Sequence, residues 1–484
     1  MTSDDAPVRT RTASGHLAAA GGAAPGLRLP VADVNASWGR GGGRGQVAAC
    51  RSDEDALTLA WAAADRALTA GGLAPGSVDG LWWGCTRPPF AEGPSWTHLA
   101  AVLRLGPTTD GSLVAGSTHA GIEALLAAAD AVASGRVTRA LVVVSDALLP
   151  ATGTSHEVAA GAGAAALVLT AEEGPARLEA VSTGWLPVLD RYRGDHEDET
   201  RDAYDGRLFR EEVFLPLLGR VGRALPAPSD GDPATRWSLP DPDGRLAGAL
   251  ARALGAQDVA STPSRAELGD AGAAATLVGA AAALDAPGPV HLLAYGGGRA
   301  TGVRIRVEAP VPGAARVAQD LHRGVPASHA QVLRARRVLA PTGESVEMAV
   351  PPGSAMFVRG NSEVLGLLGA RCVDCGTVNT PPSIHPTCVA CGHDKFDVVP
   401  LPTTGTVQTF VINRTMPAPF EAPLPLVVVD LEDGSRIMLQ GAGDGDGLQI
   451  GDRVELVLRR YTVERGVPVY GWKVDVGADG EVLA

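Results

Sequence analysis

Four of the six cysteines in this 484-residue chain stand as two pairs, Cys372-Val-Asp-Cys375 and Cys388-Val-Ala-Cys391, with twelve residues between them. Gly376 and Gly392 follow the second cysteine of each pair, as two tight turns require. Four thiolates on two turns can close a tetrahedral site, which Zn²⁺ accepts without geometric strain. Because four protein ligands leave no position open for water, the metal is expected to be structural rather than catalytic. His385 and His393 lie close by and read as surface residues. Thiols clustered late in the chain, with Cys50 and Cys85 scattered, suit metal binding in a reducing compartment and not a disulfide framework.

Elements on either side must hold these turns. Downstream, the short runs Gly405 to Asn413, Leu426 to Leu431, Ser435 to Gln440, Arg453 to Thr462 and Val467 to Val474 are separated by turn residues such as Glu432-Asp433-Gly434. Five such strands suit a small barrel. Upstream, Ser52-Asp53-Glu54-Asp55 introduces an Ala-rich helix over Ala56 to Ala70, which Gly71-Gly72 stops. Helices are also expected near Trp96 to Leu103, His119 to Ser134, Glu211 to Leu225, Gly244 to Leu254 and Ala273 to Leu284. The apolar runs Val78 to Cys85, Arg139 to Ser145, Ala164 to Thr170, Val290 to Tyr295 and Gly302 to Glu308 read as strands, several of them buried on both faces. Strand and helix alternate, which makes this part α/β. Polar residues 191–206 read as a solvated loop.

Bulk properties narrow the function. A chain this long predicts two or three domains. The net charge of −13 argues against nucleic-acid binding, since nothing neutralises a run of phosphates. The longest nearly uncharged stretch, Ala271 to Leu284, falls short of the ~20 residues that cross a bilayer, so no membrane partner is expected and the location reads as cytoplasmic. Residues 1–25 lack the apolar core of a secretory signal and are expected to be a disordered tail. Residues 310–360, richer in Pro and Gly, read as a linker with a docking helix near Ser328 to Leu339.

Particular segments resemble a known family. Asp53-Glu54-Asp55-Ala-Leu-Thr-Leu-Ala, His119-Ala-Gly-Ile-Glu-Ala-Leu125, Gly161-Ala-Gly-Ala-Ala-Ala166, Gly269-Asp270 and Tyr295-Gly-Gly-Gly298 occur in the order seen in prokaryotic hydroxymethylglutaryl-CoA synthases. They are also similar to ketoacyl synthase III enzymes. The likeness covers residues 26–309, and residues 361–398 and 399–484 resemble the rubredoxin-like zinc ribbon and OB-fold that accompany thiolases. The resemblance implies a thiolase-like five-layered αβαβα domain, a homodimer, and acyl-CoA or acyl-carrier-protein thioesters as substrate or ligand.

Such enzymes place a cysteine at the N-terminus of a central helix, where backbone N–H groups favour the thiolate. Here the matching stretch is Gly116-Ser117-Thr118-His119, and the cysteine position falls on Thr118. The family's general-base glutamate falls near Thr86 and its histidine near Ser238. Ser117 and Thr118 read either as acyl-accepting hydroxyls or as helix caps, and His119 as a titrating neighbour of the pocket. Gly297 matches the glycine turn whose backbone N–H completes the family's oxyanion hole. Tyr192 and Tyr204 fall where the substrate loop lies, and a phenol there serves as acid or base. Cys85 reads as a buried, inert thiol. The resulting expectation is a thioester-processing enzyme of bacterial specialised metabolism. It would form or cleave carbon–carbon bonds by Claisen or aldol chemistry, or transfer acyl groups, without the Cys/His/Glu triad. The alternative is a non-catalytic acyl-thioester-binding or scaffold homologue that partners an active thiolase or synthase.

Overall fold

In the computed structural model, residues 7–203, 205–229, 231–339, 360–416, 422–464 and 467–476 are described. They divide into a larger unit (7–51, 55–96 and 105–338) and a smaller one (52–54, 97–104 and from 360 onward). No helix among the described residues is long and apolar enough to cross a membrane.

The larger unit is built on one long sheet. Its strands run in the order Asp258–Val259, Arg236–Ser238, Gly288–Gly296, Arg299–Val307, Ala176–Trp185, His16–Ala23, Ala162–Thr170, Arg139–Ala147, Gly80–Cys85 and Asp110–Ala115. Three parallel strands lie at each end, and antiparallel pairings join them through the middle. Strands Gly80–Cys85, Arg139–Ala147 and Gly288–Gly296 are largely apolar because helices cover both faces, whereas the outermost parallel strands Arg236–Ser238, Asp258–Val259 and Asp110–Ala115 carry polar residues. Gly80–Cys85 and Ala162–Thr170 are buried along their whole length.

Helix Ala56–Ala70 begins where it does because Asp55 accepts from the N–H groups of Leu57 and Thr58 while Thr58 returns a bond to the Asp55 backbone. Helix Ala120–Ala133 follows strand Asp110–Ala115, and Ala275–Ala282 sits as a core helix with nearly all of its residues buried. Trp82, Ile122, Leu125, Val142, Leu167 and Leu277 belong to one apolar cluster. A second cluster joins Phe209, Phe214, Leu217, Leu250, Leu293 and Tyr295.

Three expectations are corrected. Within the expected disordered tail of residues 1–25, the described residues from 7 onward are ordered: Arg9–Thr12 pairs with Ala180–Thr183, and His16–Ala23 is a central strand. After His16 and Leu17 that strand is all Ala and Gly, whose low hydrophobicity hides it, because a helix backbone lies directly on it. A Cβ at Gly21 would come within 2.4 Å of the Ala63 carbonyl and 2.6 Å of the Ala67 nitrogen. Residues 310–338 are not linker either, since helices Ala314–Leu321 and His329–Ala335 belong to the larger unit. A Cβ at Gly313 would fall 2.0 Å from the Ala20 carbonyl, which fixes that helix's approach to the sheet. Finally, the expected α-helix near Glu211 to Leu225 opens with a π-turn, Phe209–Phe214, before regular α-helix over Leu215–Arg223.

The smaller unit holds a three-stranded sheet, Val378–Asn379, Leu368–Cys372 and Phe396–Pro400, and a closed five-stranded barrel. The barrel strands are Thr404–Asn413, Leu424–Leu431, Arg436–Ala442, Val467–Asp475 and Arg453–Glu464. All five overlap the runs read from the sequence.

Candidate functional site

The two cysteine pairs meet. All four sulfurs lie within 4.8 Å of one another, with Cys372–Cys391 and Cys375–Cys388 each at 3.6 Å. Each pair sits on a turn whose glycine is left-handed, Gly376 at φ +75° and Gly392 at φ +78°. The amide N–H groups of those glycines close back on the carbonyls of Cys372 and Cys388. Tetrahedral bonds of ~2.3 Å to zinc place sulfurs ~3.8 Å apart, so the donor set and its spacing fit that metal. Asn379 stiffens the centre: its amide accepts from the Val389 N–H and lies 3.7 Å from Cys388 Sγ.

The larger unit carries a cavity of about 230 Å³. Segments far apart in sequence form its wall, among them Thr86, Ser117 and Thr118, Asp190 to Tyr192, Asp241, Gly272 and Gly297. Among the described residues, no cysteine, histidine or glutamate lines it. The Thr118 hydroxyl donates to the Tyr295 carbonyl at 2.8 Å, and Ser117 Oγ accepts from the His119 N–H at 3.1 Å. Both hydroxyls are therefore engaged with backbone, and a hydroxyl nucleophile needs a positioned base. Gly297 has φ +57°, and Ser117 Oγ stands 3.5 Å from where its Cβ would be. Gly296 is tighter: a Cβ there would meet Thr118 Oγ1 at 2.4 Å and Ser117 Oγ at 2.6 Å.

Two candidates lie away from the cavity. Ser238 is fully buried and donates to the Thr276 carbonyl at 2.5 Å. His119 points from the helix into the sheet, where Nε2 meets Thr301 Oγ1 at 2.9 Å. Burial, helped by the Arg299 charge, lowers its pKa to about 3, so it does not titrate near neutrality. Tyr192 lines the cavity, and Tyr204 lies outside the described residues.

Most of the described residues in the stretch 191–206 are exposed, as a solvated loop would be, but Arg191, Tyr192, Arg193 and Thr200 line the cavity. Arg191 bridges Asp202 and Asp270, each at 2.9 Å, and Arg191–Tyr192 pairs with Arg201–Asp202. Next to it, the Tyr295 hydroxyl donates to Asp190 Oδ2 at 2.8 Å, its ring held edge-on by Phe209 and Phe214.

Sequence reasoning missed Asp146. This carboxyl ends the apolar run Val142-Val143-Val144-Ser145 and is fully buried. Oδ1 accepts from the Thr86 hydroxyl at 2.7 Å, the Thr86 N–H at 3.0 Å and Cys85 Sγ at 3.4 Å, while Oδ2 accepts from the Ala273 N–H at 2.7 Å. Burial pushes its pKa up to about 6 although these bonds pull it down. An acid near the end of an otherwise largely apolar strand was the available signal.

His156 and His291 are also buried, and neither ring nitrogen of His291 has a hydrogen-bond partner among the described residues. Burial lowers each pKa to about 4, with Arg191 adding to the effect at His156 and Arg304 at His291. A histidine kept neutral in the fold contributes stability that is complete above pH ~6.5 and is lost as pH falls toward its folded pKa. Asp146, raised in the fold, opposes this, since its contribution is complete below pH ~4 and is lost as pH rises through about 6. Burial also raises the Asp241 carboxyl, but three histidines outweigh these two carboxyls. Urea unfolding is expected to show stability lower at pH 5 than at pH 7 by a few kcal/mol, at ~1.4 kcal/mol per pKa unit. Equal or greater stability at pH 5 would contradict the neutral assignment.

Residues 398–459 match the family model described as ChsH2, C-terminal OB-fold domain. The hydroxymethylglutaryl-CoA synthase of Methanopyrus kandleri is 27% identical over 255 residues, covering 51% of this chain and 71% of that protein. Among solved structures, an HMG-CoA synthase complexed with CoA aligns with TM-score 0.59 at 17% identity, over 66% of this chain and 90% of that one. The curacin-pathway HMG synthase in complex with acetyl donor-ACP gives 0.56 at 15% identity, over 66% and 88%. 3-Oxoacyl-(acyl carrier protein) synthase III from Pseudomonas aeruginosa gives 0.53 at 22% identity, over 62% and 100%. These structural likenesses establish the fold. With the sequence likeness, they define a thiolase-like α/β unit similar to HMG-CoA synthases, fused to a four-cysteine ribbon and an OB-fold barrel. A DUF35 domain-containing scaffold protein of Methanocaldococcus jannaschii is 35% identical over 113 residues, 22% of this chain and 79% of that protein. The chain belongs to that DUF35 domain-containing family.

Proposed function

We propose that the larger unit takes a thioester of coenzyme A or of an acyl carrier protein into the cavity and makes or breaks a carbon–carbon bond there. No cysteinyl acyl-enzyme would form. The composition of the wall carries this reading: among the described residues it offers hydroxyls and carboxyls but no thiol, and both hydroxyls beside the helix start are engaged with backbone. The backbone N–H of Gly297 would steady the enolate or carbonyl oxygen, a role that aldol-type chemistry needs as much as acyl transfer does. Tyr192 would supply a phenol at the same wall. Zinc would be the metal of the cysteine centre and purely structural, and a homodimer in the cytoplasm of a bacterium with a specialised pathway would be the working form.

A second reading is favoured by the relative described as a scaffold protein. On it, the chain holds a thioester or a partner synthase and performs no chemistry. Intact-protein mass spectrometry after incubation with acetyl-CoA, acetoacetyl-CoA and longer acyl-CoAs separates the cases. Thioester consumed without a mass adduct is the expected result. An adduct mapping to Ser117 or Thr118 would replace this mechanism with covalent acyl transfer, and thioester bound but never consumed would favour the scaffold.

A further inference from the structure

We infer that Thr86 and Asp146 form a proton relay at the cavity wall, in which Thr86 meets the 3-oxygen of a 3-hydroxyacyl thioester and Asp146 stores the proton behind it. The inference rests on the reading that the cavity processes a thioester, and it narrows the substrate class.

Geometry carries the relay. Thr86 lines the cavity, and both its hydroxyl and its N–H donate to the same Asp146 oxygen. The carboxyl lies immediately behind the wall because Gly272, itself a lining residue at φ +57°, has no side chain: a Cβ there would come within 2.3 Å of Asp146 Oδ2. The donors that reach Asp146, from Cys85, Thr86 and Ala273, are all uncharged. No guanidinium or ammonium among them holds it as a permanent anion, so it can exchange a proton. Its raised pKa of about 6 lets both forms exist near neutrality. In the cleavage direction the relay first accepts a proton from another oxygen, which points to the 3-hydroxyl as its partner.

In the cleavage direction, Thr86 Oγ takes the 3-hydroxyl proton as its own proton passes to Asp146 Oδ1. The electron pair of the C2–C3 bond becomes the enolate of the departing acyl thioester, and C3 becomes a carbonyl. The proton then returns through Thr86 to C2. One proton has moved from oxygen to carbon, so no oxidant or second reactant is needed, and condensation runs the same steps in reverse.

The test uses the purified full-length protein with a pool of 3-hydroxyacyl-CoAs that includes 3-hydroxy-3-methylglutaryl-CoA. Carbonyl and acyl-CoA products are followed by mass spectrometry, and thioester binding by calorimetry. Wild type is expected to cleave at least one member. Thr86→Val should lower kcat by about 100-fold or more with KM unchanged to within about 3-fold, whereas Thr86→Ser should retain most activity. Asp146→Asn, which still accepts from Thr86 but takes up no proton, should fall as far as Thr86→Val; circular dichroism checks its folding, and Thr86→Val decides should it misfold. Thr86→Val at near wild-type rate, Thr86→Ser as inactive as Thr86→Val, or binding by wild type without cleavage would each overturn the relay. Failure of wild type to bind any thioester would instead remove the cavity reading itself, and the relay with it.

Discussion

Exchange of Cys388 for Ser is expected to release the metal and melt the three-stranded ribbon. Cys388 is buried, and its sulfur lies 3.6 Å from Cys375 and near Asn379. The ribbon's own strands run only two to five residues, too few to bury a core that would hold them alone. In modules this small the metal bonds supply most of the folding free energy, on the order of 10–16 kcal/mol for structural zinc. Elemental analysis should return one zinc per wild-type chain and none for Cys388→Ser. Hydrogen exchange over residues 368–400 should become fast in the variant while strands Gly80–Cys85 and Ala162–Thr170 stay protected. A metal-free wild-type protein with a protected ribbon would remove zinc from the account.

Gly297→Leu is expected to abolish turnover with little loss of stability. A leucine at φ +57° costs about 1–2 kcal/mol in backbone strain, which moves the unfolding midpoint by only a few degrees in a unit this large. The same change misplaces the turn whose N–H is proposed to hold the developing oxyanion, a loss of roughly 10²–10³ in rate. Gly296→Ala provides the contrast. Its Cβ would strike Thr118 Oγ1, Ser117 Oγ and the His119 nitrogen, all within 2.4 to 2.6 Å, so it should destabilise the fold itself. Side-by-side melts and product assays distinguish the two, and activity surviving in Gly297→Leu would remove the turn from the mechanism.

Legibility followed how local the physics was. Helix Ala56–Ala70 lies where the sequence places it because both of its ends are specified within a few residues, by Asp55 and Thr58 at the start and Gly71 at the stop. The cysteine centre was equally readable, since its ligands sit on two short turns. Strand His16–Ala23 was not, because its stability comes from close backbone contact with a helix forty residues on, and Ala and Gly carry little hydrophobic signal. The cavity is assembled from segments scattered between Thr86 and Gly297, so spacing alone is silent about it. Thr118 and His119 show the limit most directly: adjacent in sequence, they face the cavity and the sheet interior respectively.

The paired groups of the cavity wall have one more consequence. Asp190 is tied to Tyr295, and Asp270 to Arg191, before any ligand arrives. Their dipoles are already oriented, so a thioester entering the cavity would meet a preorganised field and little reorganisation would be spent on binding. Affinity at this wall should accordingly respond weakly to ionic strength, unlike a surface that recruits its ligand through loose, solvated charges.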